Sequence, residues 1–214
     1  ERFLRDSRIN RIFEGANEIL RLFIALNGIQ TLSGRLKEVS VALREPIKHL
    51  GLLSEFAAAK VRNAFGASAT LDFELDPRLA AHKESFEKHV AELRSSAESA
   101  VTKYRGEIVD RQMVVERLSN MAIELFATAC VLSYTQALLE RQDDARAILL
   151  CDIFCVGSGL RFRAARVALA GGADGTLDDA RRALAAEVRA DKGYALPDSI
   201  LDVPRTVGTV QSVK

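Results

Sequence analysis

The chain has 214 residues, of which 48% are hydrophobic and 28% charged, with a net charge of +1. That is enough apolar material for one good-sized core, and so balanced a charge argues against nucleic acid as a partner. Three cysteines without framework spacing fit a reducing compartment, and no apolar run approaches the ~20 residues of a membrane-crossing helix. With only four prolines and abundant Ala, Leu, Arg and Glu, the composition predicts an all-α protein.

In chain order, residues 1–5 read as a helix already under way, and the first residue is not methionine; both features suggest a piece of a longer protein. The charged residues 1–12 carry no signal-peptide pattern. In residues 5–19, Glu14 stands between an apolar stretch and Gly15, just ahead of a strongly apolar helix. A carboxylate held partly out of water there has a raised pKa, which suits a general base. Residues 17–32 read as a helix apolar nearly all round, so it expects neighbours on most faces.

Residues 34–75 change character: Gly34, Pro46, Gly51 and Gly66 predict a connector. Inside it, residues 50–65 form an amphipathic helix with Leu50, Leu53, Ala57, Val61 and Phe65 on one stripe. Residues 35–62 hold six basic against three acidic side chains. Such a stripe suits an interfacial membrane contact or packing on a neighbouring core, and the sequence leaves both open.

Asp76 and Pro77 make an N-cap and first-turn pair. A long helix to about residue 106 then turns Leu79, Phe86, Val90, Leu93, Ala97, Val101 and Tyr104 to one face. Asp110 is expected to cap a second helix, reaching about 141, through Val114, Leu118, Met121, Leu125, Ala129 and Leu132. A third covers about 143–170 with Ile148, Cys151, Cys155, Leu160 and Val167 inward. A glycine turn at 171–175 separates it from a fourth helix at about 177–192, and a tail from Tyr194 carries Pro197 and Pro204. Short connections between long helices predict an antiparallel bundle. The resulting division is 1–33, 34–75 (connector), 76–193 (bundle) and 194–214 (extended tail).

Cys151 and Cys155 share a helical face, but His49, His82, His89 and Cys130 are scattered. Buried apolar thiols are expected there, with no metal site. The 171–175 glycines lack the Lys-Ser/Thr of a phosphate loop.

The positions Arg5-Asp6, Arg8-Ile9, Ile12, Glu14-Gly15 and Glu18-Ile19 resemble, in order and spacing, the segment that carries the catalytic glutamate in the acyl-CoA dehydrogenase family. The resemblance implies that Glu14 is the base that takes the α-proton of an acyl-CoA thioester while a β-hydride passes to FAD. It also implies that the Glu14 backbone N–H and a flavin hydroxyl bond the thioester oxygen as an oxyanion hole does. Gly15 would allow close backbone approach to the substrate, and Ala16, Asn17 and Glu18 would lie along the cofactor. The family usually has threonine where this chain has Ala16, so Asn17 is expected to take over the helix cap.

About 180 residues follow the helix at 17–32, an extension similar to that of the very-long-chain members and their complex I assembly relative. Residues 105–109, 116–126 and 150–155 carry that likeness. Residues 1–33 would then close the catalytic helical domain, and 76–193 would be the added bundle. The implied activity is oxidation of long-chain acyl-CoA to trans-2-enoyl-CoA, with electrons passed to electron-transfer flavoprotein by a homodimer. This stretch alone would be inactive. The implied location is a bacterial cytoplasm, peripheral to the inner membrane, or the mitochondrial inner membrane, with 50–65 as the docking stretch. The alternative is a helical dimerisation, membrane-docking or assembly module without dehydrogenase activity.

Overall fold

The computed structural model describes residues 1–13, 15–42, 74–142, 144–171 and 177–191. Helices α1 (Arg2–Ile9) and α2 (Asn17–Ala42) come first, and a 3-10 turn (Pro77–Leu79) leads into α3 (Ala80–Tyr104). A second 3-10 stretch (Arg105–Asp110) precedes α4 (Gln112–Arg141) and α5 (Ala145–Leu169). Helix α6 (Asp178–Asp191) belongs to a separate compact unit, Thr176–Lys214. The described residues are all-α, as the composition predicts. The amphipathic stretch 50–65 and the tail from 194 lie outside them.

The helix boundaries follow local chemistry. Asp76 Oδ1 accepts the Arg78 backbone N–H at 2.9 Å with Pro77 in the first turn, so the expected cap forms, on a 3-10 turn that runs on into α3. Asp144 caps α5 in the same way, accepting from the Arg146 N–H at 2.8 Å. Gly171 ends α5 with φ +89°, the left-handed turn that glycine adopts without steric cost.

Two boundaries differ from expectation. The helix at 17–32 continues through Gly34 to Ala42, because one interior glycine weakens a helix by only ~1 kcal/mol and does not end it. Asp110 does not cap α4. It closes the 3-10 stretch, and Arg111 takes the N-cap position, its carbonyl accepting the Val115 N–H at 3.0 Å without any side-chain cap.

Contacts fix the helix directions. Leu132 packs with Cys151, Met121 with Phe162, and Thr128 bonds Ser158, so rising numbers on α4 meet falling ones on α5. Helix α3 runs against α4 likewise: Leu79 sits near Leu132 and Val101 near Val114. Helix α2 adds Ala25 and Ile29 to the α3–α4 end. The largest buried side chains, Phe162, Leu79, Met121 and Leu132, sit where α4 meets α3 and α5; each contributes ~1.5–3 kcal/mol by leaving water.

Helix α4 carries an 18-residue window apolar enough by composition to cross a bilayer, which counters the expectation that no such run exists. Here it is the helix on which α2, α3 and α5 all pack, and it buries the polar Arg117, Thr128 and Thr135.

The inward faces are also partly redrawn. Val90 is exposed and His89 is buried in its place, stacked on Phe162 with ring centres 4.3 Å apart. On α5, Leu160 and Val167 point outward, while Ala147, Cys151, Ser158 and Phe162 form the buried arc. The cause is the Thr128–Ser158 hydrogen bond, 3.0 Å, which turns Ser158 rather than Leu160 toward α4.

Candidate active-site segment at the head of helix α2

Residues 10–16 connect α1 to α2 by a tight turn. The Phe13 N–H donates to the Ile9 carbonyl at 3.1 Å, and the Asn17 N–H reaches back to the Arg11 carbonyl at 3.3 Å. Glu14, the expected base, lies outside the described residues. Its neighbour Gly15 has φ +113°, a backbone state that side-chain-bearing residues rarely adopt. A Cβ added there would also stand 3.2 Å from Leu20 Cδ2. Conformation and space thus both require glycine after Glu14.

The Leu20 N–H donates to the Ala16 carbonyl at 3.0 Å, which puts Ala16 at the N-cap of α2. Alanine has no side-chain acceptor, and Asn17 is already the first helical residue, so the expected takeover of the cap by Asn17 does not occur. Gly15, Ala16 and Asn17 are half-buried and Glu18 is exposed. By helix geometry the Glu18 and Ile19 N–H groups have no carbonyl partner within the helix, so this end carries partial positive charge.

Around the turn lies an apolar surface: Ile12, Phe13, Ile19, Leu20, Phe23 and Ile24 are all exposed. Within it Arg21 has a buried Nε with no hydrogen-bond partner among the described residues. Sequence reading passed over Arg21. Its signal was there, as the one charge between Ile19 and Ile29 in an otherwise apolar helix.

The bundle holds polar pairs of a different kind. Arg161 donates from Nε and Nη2 to the two Glu124 carboxylate oxygens at 2.6 and 2.9 Å. Burial would raise the Glu124 pKa, but hydrogen bonding from Arg161 and Ser158 overrides it and holds the carboxyl below its ordinary value. His82 Nε2 lies 2.7 Å from Asp152 Oδ1. Burial pushes the His89 imidazole down, and Arg163, Lys88 and Arg166 add to this against Glu92.

The cysteines behave as buried thiols. Cys151 and Cys155 approach to 3.8 Å between sulfurs, and burial together with Cys151 pushes the Cys155 thiol up to about 12. No group of three His, Cys, Asp or Glu side chains converges among the described residues. An open apolar groove of about 400 Å³ between α4 and α5, lined by Cys130, Tyr134, Leu150 and Phe154 among others, has no charged group in its lining.

Comparison with known proteins agrees with this geometry. A family model described as ACAD9/ACADV, C-terminal domain, matches residues 77–194. The human very long-chain specific acyl-CoA dehydrogenase, mitochondrial, is 35% identical over 173 residues, covering 79% of this chain and 26% of that protein. A probable acyl-CoA dehydrogenase FadE10 of Mycobacterium tuberculosis is 29% identical over 171 residues, covering 77% of this chain and 26% of that protein. The chain thus spans about a quarter of the length of these curated relatives. A crystal structure of an acyl-CoA dehydrogenase complexed with FAD from Bacillus anthracis shares the fold, with a TM-score of 0.54 at 22% identity over 77% of this chain and 25% of that one. The chain belongs to the acyl-CoA dehydrogenase family, on the ACAD9/ACADV C-terminal-domain branch.

Proposed function

We propose that the chain is the C-terminal part of an FAD-dependent dehydrogenase that oxidises long-chain fatty acyl-CoA to trans-2-enoyl-CoA. The observation that carries this reading is the presence, on one polypeptide, of the glutamate run at residues 5–19 and the family domain at 77–194. Glu14 takes the α-proton of the acyl thioester. The exposed apolar side chains of Ile12 and Phe13 support this role, since covering them would desolvate the neighbouring carboxylate and raise its pKa. Gly15 carries no Cβ, so the backbone can approach the thioester oxygen, where the Glu14 N–H opposes the developing negative charge.

The residues present fit one edge of an FAD site. Half-buried Gly15, Ala16 and Asn17 and the N–H groups that open α2 offer backbone contact, while Ala16 supplies no hydroxyl. FAD, when bound, accepts the β-hydride. Electron-transfer flavoprotein is the proposed electron acceptor, and the enzyme is proposed to be a homodimer. The mitochondrial and mycobacterial relatives support a mitochondrial inner-membrane location in a eukaryote and a cytoplasmic one in a bacterium. Membrane docking through residues 50–65 belongs to the same proposal. With so much of the relatives' length outside it, this stretch alone is expected to be inactive.

The test uses the full-length protein. It should bind FAD and lose flavin absorbance when palmitoyl-CoA is added without oxygen, and Glu14→Gln should keep the flavin but lose the bleaching. Equal bleaching of both forms would remove Glu14 from the role of base. A full-length protein that holds no flavin would favour the second reading, an assembly module, for which the exposed outer face of α5 speaks.

A further inference from the structure

Helix α5 is apolar on two opposite sides. One side, Ala147, Cys151, Ser158 and Phe162, fills the bundle. The other exposes Leu149 (58%), Ile153 (64%), Val156 (58%), Leu160 (58%) and Val167 (60%). At 3.6 residues per turn these five positions and Arg163 lie within about 40° of one direction. Their spacing of four, three, four and seven residues is that of a helix seam built to meet another helix.

The seam is also symmetrical about the level of Ser158. Val156 and Leu160 lie two residues to either side, Ile153 and Arg163 five, and Leu149 and Val167 nine. We infer that this face is the contact between two copies of the chain, with α5 packed antiparallel on α5 across a two-fold axis at the level of Ser158. That arrangement sets Val156 against Leu160 of the partner subunit and Leu149 against Val167 of the partner subunit. A two-fold contact must match a surface to itself, and this one does.

Charge agrees with the register. Asp152 lies on the same flank of the seam as Arg163, and the two-fold places it beside Arg163 of the partner subunit, once in each direction. Asp152 is held for that contact: His82 occupies Oδ1 at 2.7 Å, and the side chain remains 47% exposed. Arg163 is exposed and has no carboxylate paired with it among the described residues. The five apolar side chains present on the order of 500 Å² per copy, and Leu150, Asp152 and Arg163 bring the patch toward the ~800 Å² per partner of a standard interface.

This inference deepens the proposed homodimer by naming its interface, and the experiment separates the two. The 214-residue chain is measured by sedimentation across a dilution series, with helix content checked by circular dichroism. The expected result is a dimer whose dissociation constant rises at least tenfold in Ile153→Asp and, separately, in Leu160→Asp. Asp152→Arg and Arg163→Asp should each weaken it, and the double variant should return to within about threefold of the parent. A chain that stays monomeric at every concentration overturns the inference. A dimer that tolerates Ile153→Asp and Leu160→Asp overturns the interface and keeps the homodimer. A charge swap that fails to restore binding overturns the antiparallel register.

Discussion

Arg161 and Glu124 tie α5 to α4 through two parallel hydrogen bonds, 2.6 and 2.9 Å long. The guanidinium is 56% exposed and the carboxylate only 17%, so the pair sits at the wall of the bundle with its acid turned inward. Because solvent screens the arginine, Arg161→Met is expected to cost about 1 kcal/mol, read as a lower urea midpoint at pH 7. The pH dependence has a definite sign. The folded pKa of Glu124 is depressed below 4.5, so its contribution is full above the unfolded value and drains away as pH falls through the folded one. The midpoint gap between parent and Glu124→Gln should therefore shrink from pH 7 to pH 3.5. A gap that widens toward acid would contradict this account.

His89 supplies a second pH response at higher pH. Its folded pKa is lowered from 6.5, chiefly by burial against Phe162 and α5. Stability tied to the neutral ring is complete above pH 6.5 and is lost as pH falls toward the folded value, because the unfolded chain takes up the proton first. His89→Phe keeps the ring stack and removes the proton site. Thermal melts of the variant should be flatter than the parent's between pH 7 and 5.5; an unchanged slope would assign the response to other groups.

Arg105 joins α3 to the following 3-10 stretch with φ +49° and ψ −127°, a backbone state costly for any residue with a Cβ. Relief of that strain is worth ~1–3 kcal/mol, and glycine gives back ~1 through its looser unfolded chain. Arg105→Gly is therefore expected to raise stability by about 1 kcal/mol, and Arg105→Ala to leave it nearly unchanged. Urea denaturation of the two variants side by side is the check.

Gly15→Ala reverses that logic at the candidate site. The substitution meets both φ +113° and the Leu20 side chain 3.2 Å away. It should cost ~1–3 kcal/mol locally, because the turn must open or Leu20 must move. In the full-length protein the expected readouts are weaker FAD retention on gel filtration and slower bleaching by palmitoyl-CoA. Normal retention and rate would mean that the turn does not approach the reaction.

Arg21 holds a buried Nε without an acceptor, a state that costs ~1–3 kcal/mol. Arg21→Met keeps the aliphatic stem and removes the orphaned donor, so this chain should melt at a higher temperature with the substitution. A lower melting temperature would show that Arg21 has a partner outside the described residues.

How far the fold could be read from sequence depended on how one-sided each helix is. Leu118, Met121, Leu125 and Leu132 on α4 stand at helical spacing, and all four are buried as that spacing predicts. On α5 the same signal fails, because Leu160 and Val167 occupy one apolar arc and Cys151 and Phe162 the other. Periodicity cannot choose between two apolar arcs; a hydroxyl pair, Thr128 and Ser158, makes the choice. Gly34 misled for a related reason, since packing outweighs a single residue's local preference. At the candidate site Glu14 and Gly15 were legible from their run, and the positive φ of Gly15 gives that reading a physical basis. Arg21 was missed because an unpaired buried donor is a property of three-dimensional surroundings and leaves only a faint trace in a string of residues.

The protonated thiol pair on α5 turns the three cysteines into a built-in reporter. At neutral pH a maleimide should reach exposed Cys130 quickly, while Cys151 is buried and Cys155 is too weakly acidic to react. One fast equivalent and two slow ones would then time the separation of α4 from α5 in the unaltered protein, with no probe introduced anywhere in the bundle.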